Sequence, residues 1–117
     1  MRRGEIWTVA GAGGYAGKPR PAVILQDDAF DATASVTVCA FTTDSTEAPL
    51  FRLPVQPDET NGLREPSRLM VDKVVTVPKA RLGERLGRLG DEDVLRLNRA
   101  LLVFLGLTLS PKAARDD

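Results

Sequence analysis

The hydrophobic period of this chain changes once, and that change limits its architecture. As far as Val77 the apolar side chains come in short alternating or compact runs, cut by glycine and proline. Glu5–Val9 (Glu-Ile-Trp-Thr-Val) alternates and is rich in β-formers, so it reads as a strand. Ala22–Gln26 is a compact apolar strand between Pro21 and Asp27-Asp28. Ala29–Ala34 is a connector with room for one helical turn. Val36–Thr42 (Val-Thr-Val-Cys-Ala-Phe-Thr) is the clearest strand, Leu50–Val55 alternates again, and Ser67–Val77 holds one longer or two short strands. Pro78 ends that run because it lacks a ladder donor. From Asp91 the period becomes helical: Val94, Leu97, Leu101, Phe104 and Leu105 share one face. Asp91 is the expected N-cap, acidic residues fill the first turn where the helix dipole favours them, and Gly106 weakens the end. Short strands followed by one amphipathic helix predict a mainly β fold, a small barrel or strongly bent antiparallel sheet, with a C-terminal α-helix.

The 117 residues suit one domain. It is expected over residues 1–109, with 110–117 as a flexible tail. At 43% apolar the chain has enough material for a core. Formal charge is zero, from 16 basic and 16 acidic residues, which argues against bulk electrostatic binding of nucleic acid. The charge is nevertheless segregated. Met1–Pro21 has four basic residues against one acidic, Ala22–Gly62 one against seven, and Leu63–Gly90 seven against three. If the two basic segments meet, a local positive site survives on a neutral protein.

Residue types absent from the chain narrow the chemistry. There is no histidine, which removes every mechanism that needs one as acid, base or metal ligand, the Ser/His/Asp and Cys/His triads included. Cys39 is the only cysteine; it sits in an apolar run and reads as a buried small hydrophobe. A chain without a disulfide framework fits a reducing cytosol. The carboxylates show no spaced ligand set, so no metal site and no cofactor is expected. No run reaches the roughly 18 apolar residues of a membrane span, and the start lacks a signal-peptide apolar region. A cytoplasmic protein is expected.

The candidate site residues stand near strand ends. Ala10–Pro19 is dominated by Gly11, Gly13, Gly14 and Gly17, but a strand rather than a helix follows, which speaks against phosphate cradling of the P-loop kind. The loop reads either as an ordinary hairpin connection or as a lid over a site, with Tyr15 available to stack on a base. Arg20 precedes Pro21 at the mouth of a strand, where its planar donors suit a phosphate. Thr42 and Thr43 end the next strand; their hydroxyls suit either a phosphate oxygen or the closing of a turn. Asp72-Lys73 interrupts the third apolar stretch, as an exposed edge or as an acid–base pair beside Arg20. Read singly, each is as easily a surface residue as a functional one.

Their order resembles that of the MazF/PemK toxins. Met1-Arg2-Arg3-Gly4-Glu5-Ile6-Trp7 is similar to the family's opening. A glycine-rich loop follows, and then Lys18-Pro19-Arg20-Pro21-Ala22-Val23-Ile24-Leu25-Gln26-Asp27-Asp28 resembles its Arg-Pro strand segment. Val36–Thr42 resembles the core strand that ends in a functional threonine. Ser67–Leu82, with Thr76-Val77-Pro78, resembles a later strand, and the helix from Asp91 matches in position. The resemblance reaches about Leu107. It implies an SH3-like small β-barrel with a C-terminal helix, a homodimer with RNA-binding grooves at its interface, and metal-independent cleavage of single-stranded RNA at a short preferred sequence. It also implies a cognate antitoxin whose extended, acidic tail occupies the RNA site.

Carried over residue by residue, the resemblance makes Arg20, Thr42 and Asp72 catalytic, with Tyr15, Lys18, Thr43 and Lys73 contacting RNA. Two positions depart from the family pattern: Met70 stands where some members carry a basic residue, and Val75 where an arginine is usual. With neither histidine nor metal, stabilisation of the pentacovalent phosphate falls to fixed cations and hydroxyls. Arg20 is expected to neutralise the scissile phosphate and Thr42 to donate to its oxygen. Attack by the ribose 2′-hydroxyl then leaves a 2′,3′-cyclic phosphate and a 5′-hydroxyl. Arginine is a poor base, so Asp72 is the candidate proton acceptor. Two alternatives stay open: a CcdB-like gyrase-inhibiting toxin, disfavoured because the only tryptophan is Trp7, and a catalytically inactive binding module of the same fold.

Overall fold

A computed structural model describes residues 1–11, 18–45, 47–48 and 51–107. Tyr15 and the expected tail lie outside the described residues. Among the described residues, six strands form one antiparallel sheet: β1 (Glu5–Val9), β2 (Arg20–Ile24), β3 (Ser35–Thr42), β4 (Arg52–Val55), β5 (Ser67–Pro78) and β6 (Leu82–Arg88). A helix, α1 (Asp91–Phe104), follows. The strand order is β4-β5-β3-β2-β1-β6. The expected single turn is a short 3-10 helix at Asp28–Phe30, begun by Asp27, whose side chain accepts from the Ala29 N–H at 2.9 Å.

The compact apolar runs have a direct cause. Alternate residues of β2 and β3 feed two different cores. Val23, Cys39 and Phe41 join Ile6, Leu69, Val71 and Leu97 in one; Ala22, Ile24, Val38 and Ala40 join Val9, Val36 and Val77 in the other. A strand buried on both faces loses its polar alternation. Each fully buried Leu or Val contributes roughly 1.5–3 kcal/mol. The first core lies under α1, which buries Leu97 and Ala100 there.

The sheet is not closed into the expected barrel: β4 and β6 are its two edges and share no ladder. The chain after β4 crosses to β6, where the Arg88 N–H donates to Thr60 O at 2.9 Å. Two glycines allow this contact. A Cβ on Gly87 would lie 2.3 Å from Thr60 O, and one on Gly62, whose φ is +69°, would lie 2.2 Å from Leu86 O.

β6 had no clear strand signal. Leu-Gly-Glu-Arg-Leu-Gly-Arg carries two glycines and three charges, and it forms because β1 pairs with it from Glu5↔Arg88 to Val9↔Leu82. The helix cap also differs from expectation by one residue: Gly90 is the N-cap and offers no side-chain bond, so Asp91, Glu92 and Asp93 favour the helix start through the dipole rather than by capping it, and Asp93 also pairs with Arg96 at 2.7 Å. The apolar face is correct in the middle of the helix but not at its end. Phe104 and Leu105 are about half exposed, with the Phe104 ring 6.2 Å from that of Phe51. Gly106 does more than weaken the helix. At φ +74° it ends the helix in a Schellman turn, with Gly106 N–H to Val103 O and Leu107 N–H to Leu102 O. Among the described residues no helix is long and apolar enough to cross a membrane.

Candidate active site

Antiparallel pairing brings Arg20 and Thr42 together. β2 and β3 pair Ala22 with Ala40 and Ile24 with Val38. The same register, continued two residues, sets the first residue of β2 across from the last residue of β3. Both then open onto a cavity of about 400 Å³.

Five parts of the chain line this cavity. Lys18 and Arg20 enter with β2, Thr42 and Thr43 leave with β3, Arg64 and Glu65 come from the turn before β5, Ser67 begins β5, Thr8 comes from β1 and Glu84 from β6. Phe41, Leu63 and Leu86 supply apolar wall. Lys18 and Arg64 belong to the two basic segments of the sequence, which therefore meet here. The result is cations, hydroxyls and two carboxylates in one cleft, on apolar backing that lowers the local dielectric and strengthens each interaction.

Local bonds hold these groups in place. The Thr42 hydroxyl oxygen accepts from the Asp44 N–H at 3.1 Å, so it does close a turn. As an acceptor there, it keeps its own proton for donation into the cavity. Glu84 is fixed through its backbone N–H, which donates to the Thr8 hydroxyl at 2.9 Å. The turn carrying Arg64 and Glu65 is fastened by Asn61, which is fully buried. Its Oδ1 accepts from Asp58 N–H at 3.1 Å and Leu63 N–H at 3.0 Å, and its Nδ2 donates to Gln56 O at 2.9 Å. One amide thus replaces the ladder that an irregular segment lacks.

Asp72 and Lys73, expected beside Arg20, do not line the cavity. The β3–β5 register shifts between Cys39 and Phe41, and the Asp72 side chain meets Arg52 of β4. Both carboxylate oxygens are engaged: Arg52 Nε to Oδ1 at 2.9 Å and a terminal guanidinium nitrogen to Oδ2 at 3.2 Å. The hydrogen bond from Arg52 holds the Asp72 carboxyl below the usual carboxylate range, and the same bond pushes Arg52 up. A carboxylate so stabilised is a poor proton acceptor. Lys73 is exposed on β5. Cys39 is buried, and desolvation, with the nearby Asp72 charge, pushes its thiol up to about 12.

Sequence reasoning missed Thr8, Arg64, Glu65, Ser67 and Glu84, which line the same cavity. Arg64 and Glu65 sit in an irregular turn, and Glu84 on the strand with the weakest local signal. Only the β1–β6 pairing and the Asn61 turn bring them to Arg20. Among the described residues no group of three or more His, Cys, Asp or Glu is placed to hold a metal ion.

Comparison with known proteins gives a consistent picture. The model of a family described as PemK-like, MazF-like toxin of type II toxin–antitoxin system matches residues 2–105. A Mycolicibacterium smegmatis protein named Probable endoribonuclease MazF is 58% identical over 107 residues, covering 92% of this chain and 98% of its own. Endoribonuclease MazF9 of Mycobacterium tuberculosis is 29% identical over 116 residues, with 92% and 98% covered. The solved Mycobacterium tuberculosis toxin MazF-mt6 aligns with a TM-score of 0.73 and 27% identity over 87% of this chain and 96% of that one. A mycobacterial endoribonuclease solved in complex with its cognate antitoxin shares the fold, with a TM-score of 0.77 at 24% identity over 94% of this chain and 99% of that one.

Proposed function

This chain belongs to the PemK-like, MazF-like toxin family of type II toxin–antitoxin systems, and we propose that it is a metal-independent endoribonuclease whose active site is the cavity carrying Arg20 and Thr42. The observation behind this reading is the meeting of Arg20 and Thr42, from two strand ends, in one cleft that also holds cations and carboxylates. Two relatives bear the name endoribonuclease.

RNA supplies its own nucleophile. The ribose 2′-oxygen attacks the adjacent phosphorus, the bond to the 5′-oxygen breaks, and a 2′,3′-cyclic phosphate and a 5′-hydroxyl result. Arg20 neutralises the phosphate, and Thr42 donates to a non-bridging oxygen. Glu65 and Glu84 are the carboxylates on the cavity wall, and the proton transfers fall to them rather than to Asp72. Lys18 and Thr43 hold flanking phosphate, and Tyr15 stacks on a base from the glycine loop. The substrate is single-stranded RNA cut at a short preferred sequence, which would stop translation. The working form is a cytoplasmic homodimer built from residues 1–109, restrained by a cognate antitoxin with an extended acidic tail; a related endoribonuclease has been solved with its antitoxin.

Incubation of the purified protein with mixed-sequence RNA in EDTA tests this. Cleavage leaving cyclic phosphate ends is expected. Intact RNA, or gyrase-linked DNA breaks in its place, would overturn the reading.

A further inference from the structure

A second cavity of about 160 Å³ adjoins the first and shares Thr43 and Ser67 with it. Asp44, Gln56 and Arg68 bring side chains that hydrogen-bond in different senses, and Pro54 and Pro66 supply flat apolar wall. We propose that this cavity is a nucleobase subsite that selects guanine next to the cleaved phosphate; the proposal rests on the ribonuclease reading above.

Charge decides against a phosphate here. Arg68 is accompanied by the Glu47 carboxylate at 3.4 Å, and Asp44 is itself a wall residue. The Asp44 charge is felt by Arg52, whose guanidinium it helps to keep protonated. A neutral group with several donors and acceptors fits this lining better than an anion. Guanine alone among the bases carries two donors side by side, N1–H and the N2 amine, a match for the two oxygens of a carboxylate. Its adjoining edge carries O6 and N7, the pair that a guanidinium reads best. Asp44 and Arg68 supply both partners, and bases of single-stranded RNA are read on these edges.

The backbone ties this subsite to the chemistry. The Asp44 N–H donates to the Thr42 hydroxyl oxygen, so one turn carries the base-reading carboxylate into the second cavity and the phosphate-facing hydroxyl into the first. A base seated on Asp44 therefore fixes the position of Thr42. Selection appears as a faster cleavage step as well as tighter binding.

The test maps cleavage sites of the full chain on a long natural RNA. It then replaces the guanosine at the fixed position by inosine, which lacks only the N2 amine. A guanine at one constant place beside the cut is expected. Inosine is expected to lower kcat/KM on the order of tenfold or more, and Asp44→Asn to bring the guanosine-to-inosine ratio near unity. Efficient cutting with no guanine near the cut would overturn the subsite while leaving the nuclease standing. So would a ratio unaltered in Asp44→Asn. Intact RNA under all conditions would overturn the nuclease and the subsite with it.

Discussion

Asn61 gives the sharpest stability prediction, because one fully buried side chain fastens the turn that delivers Arg64 and Glu65. Asn61→Ala removes three hydrogen bonds, to Asp58 N–H, Leu63 N–H and Gln56 O. At about 1 kcal/mol each, with the buried Leu63 N–H left unsatisfied, the loss is about 3 kcal/mol. For a domain of this size that lowers Tm by roughly 12 °C. Thermal denaturation followed by circular dichroism measures it. Glu59→Ala, at an exposed position of the same turn, provides the comparison and should leave Tm within about 2 °C. Well below its melting point, Asn61→Ala should also cleave RNA more slowly, since the turn no longer holds Glu65 in place. A Tm drop under about 3 °C would refute the reasoning, because it would mean that the turn is held by its backbone alone.

Three further outcomes follow from the packing and the ion pair. Gly87→Ala puts a Cβ 2.3 Å from Thr60 O, so backbone must shift, and a loss of about 1–3 kcal/mol should appear in the urea midpoint. The Asp72 carboxyl is held low by Arg52, so its contribution is complete above the ordinary aspartate pKa of about 3.9 and disappears as pH falls through the lowered value. Asp72→Asn should accordingly cost roughly 1–3 kcal/mol at pH 7 and flatten that part of the acid limb, as read by urea titrations from pH 7 to 3. The Cys39 thiol, pushed up to about 12 by burial, should resist alkylation at pH 8 in the native protein and react only with unfolding.

The legibility of the fold tracks burial. β1, β2 and β3 were readable because their apolar residues pack into two cores and leave dense runs. β5 was readable as a stretch, but its register was not: the resemblance marked Asp72 as a site residue, and the sequence does not show the Arg52 that pairs with it away from the cavity. β6 was invisible, since an edge strand of glycines and charges draws its order from β1. The helix face was correct where it meets the sheet and misleading at Phe104 and Leu105, which extend past it. The site divides the same way. Arg20, Thr42, Lys18 and Thr43 lie at strand ends that the pattern marks. Arg64, Glu65 and Glu84 reach the cavity through an irregular turn and an edge strand, for which no local period exists.

Single-turnover cleavage of one RNA in EDTA by the wild type, Arg20→Ala, Thr42→Ala and Asp72→Asn tests the central claim most directly, with folding of each variant checked by circular dichroism. Loss of one preorganised phosphate contact costs on the order of 10²–10³ in rate. Folded Arg20→Ala and Thr42→Ala should therefore each fall by about that factor, while folded Asp72→Asn stays close to wild type. Full activity in Arg20→Ala, or a collapse confined to Asp72→Asn, would contradict the assignment of this cavity as the active site.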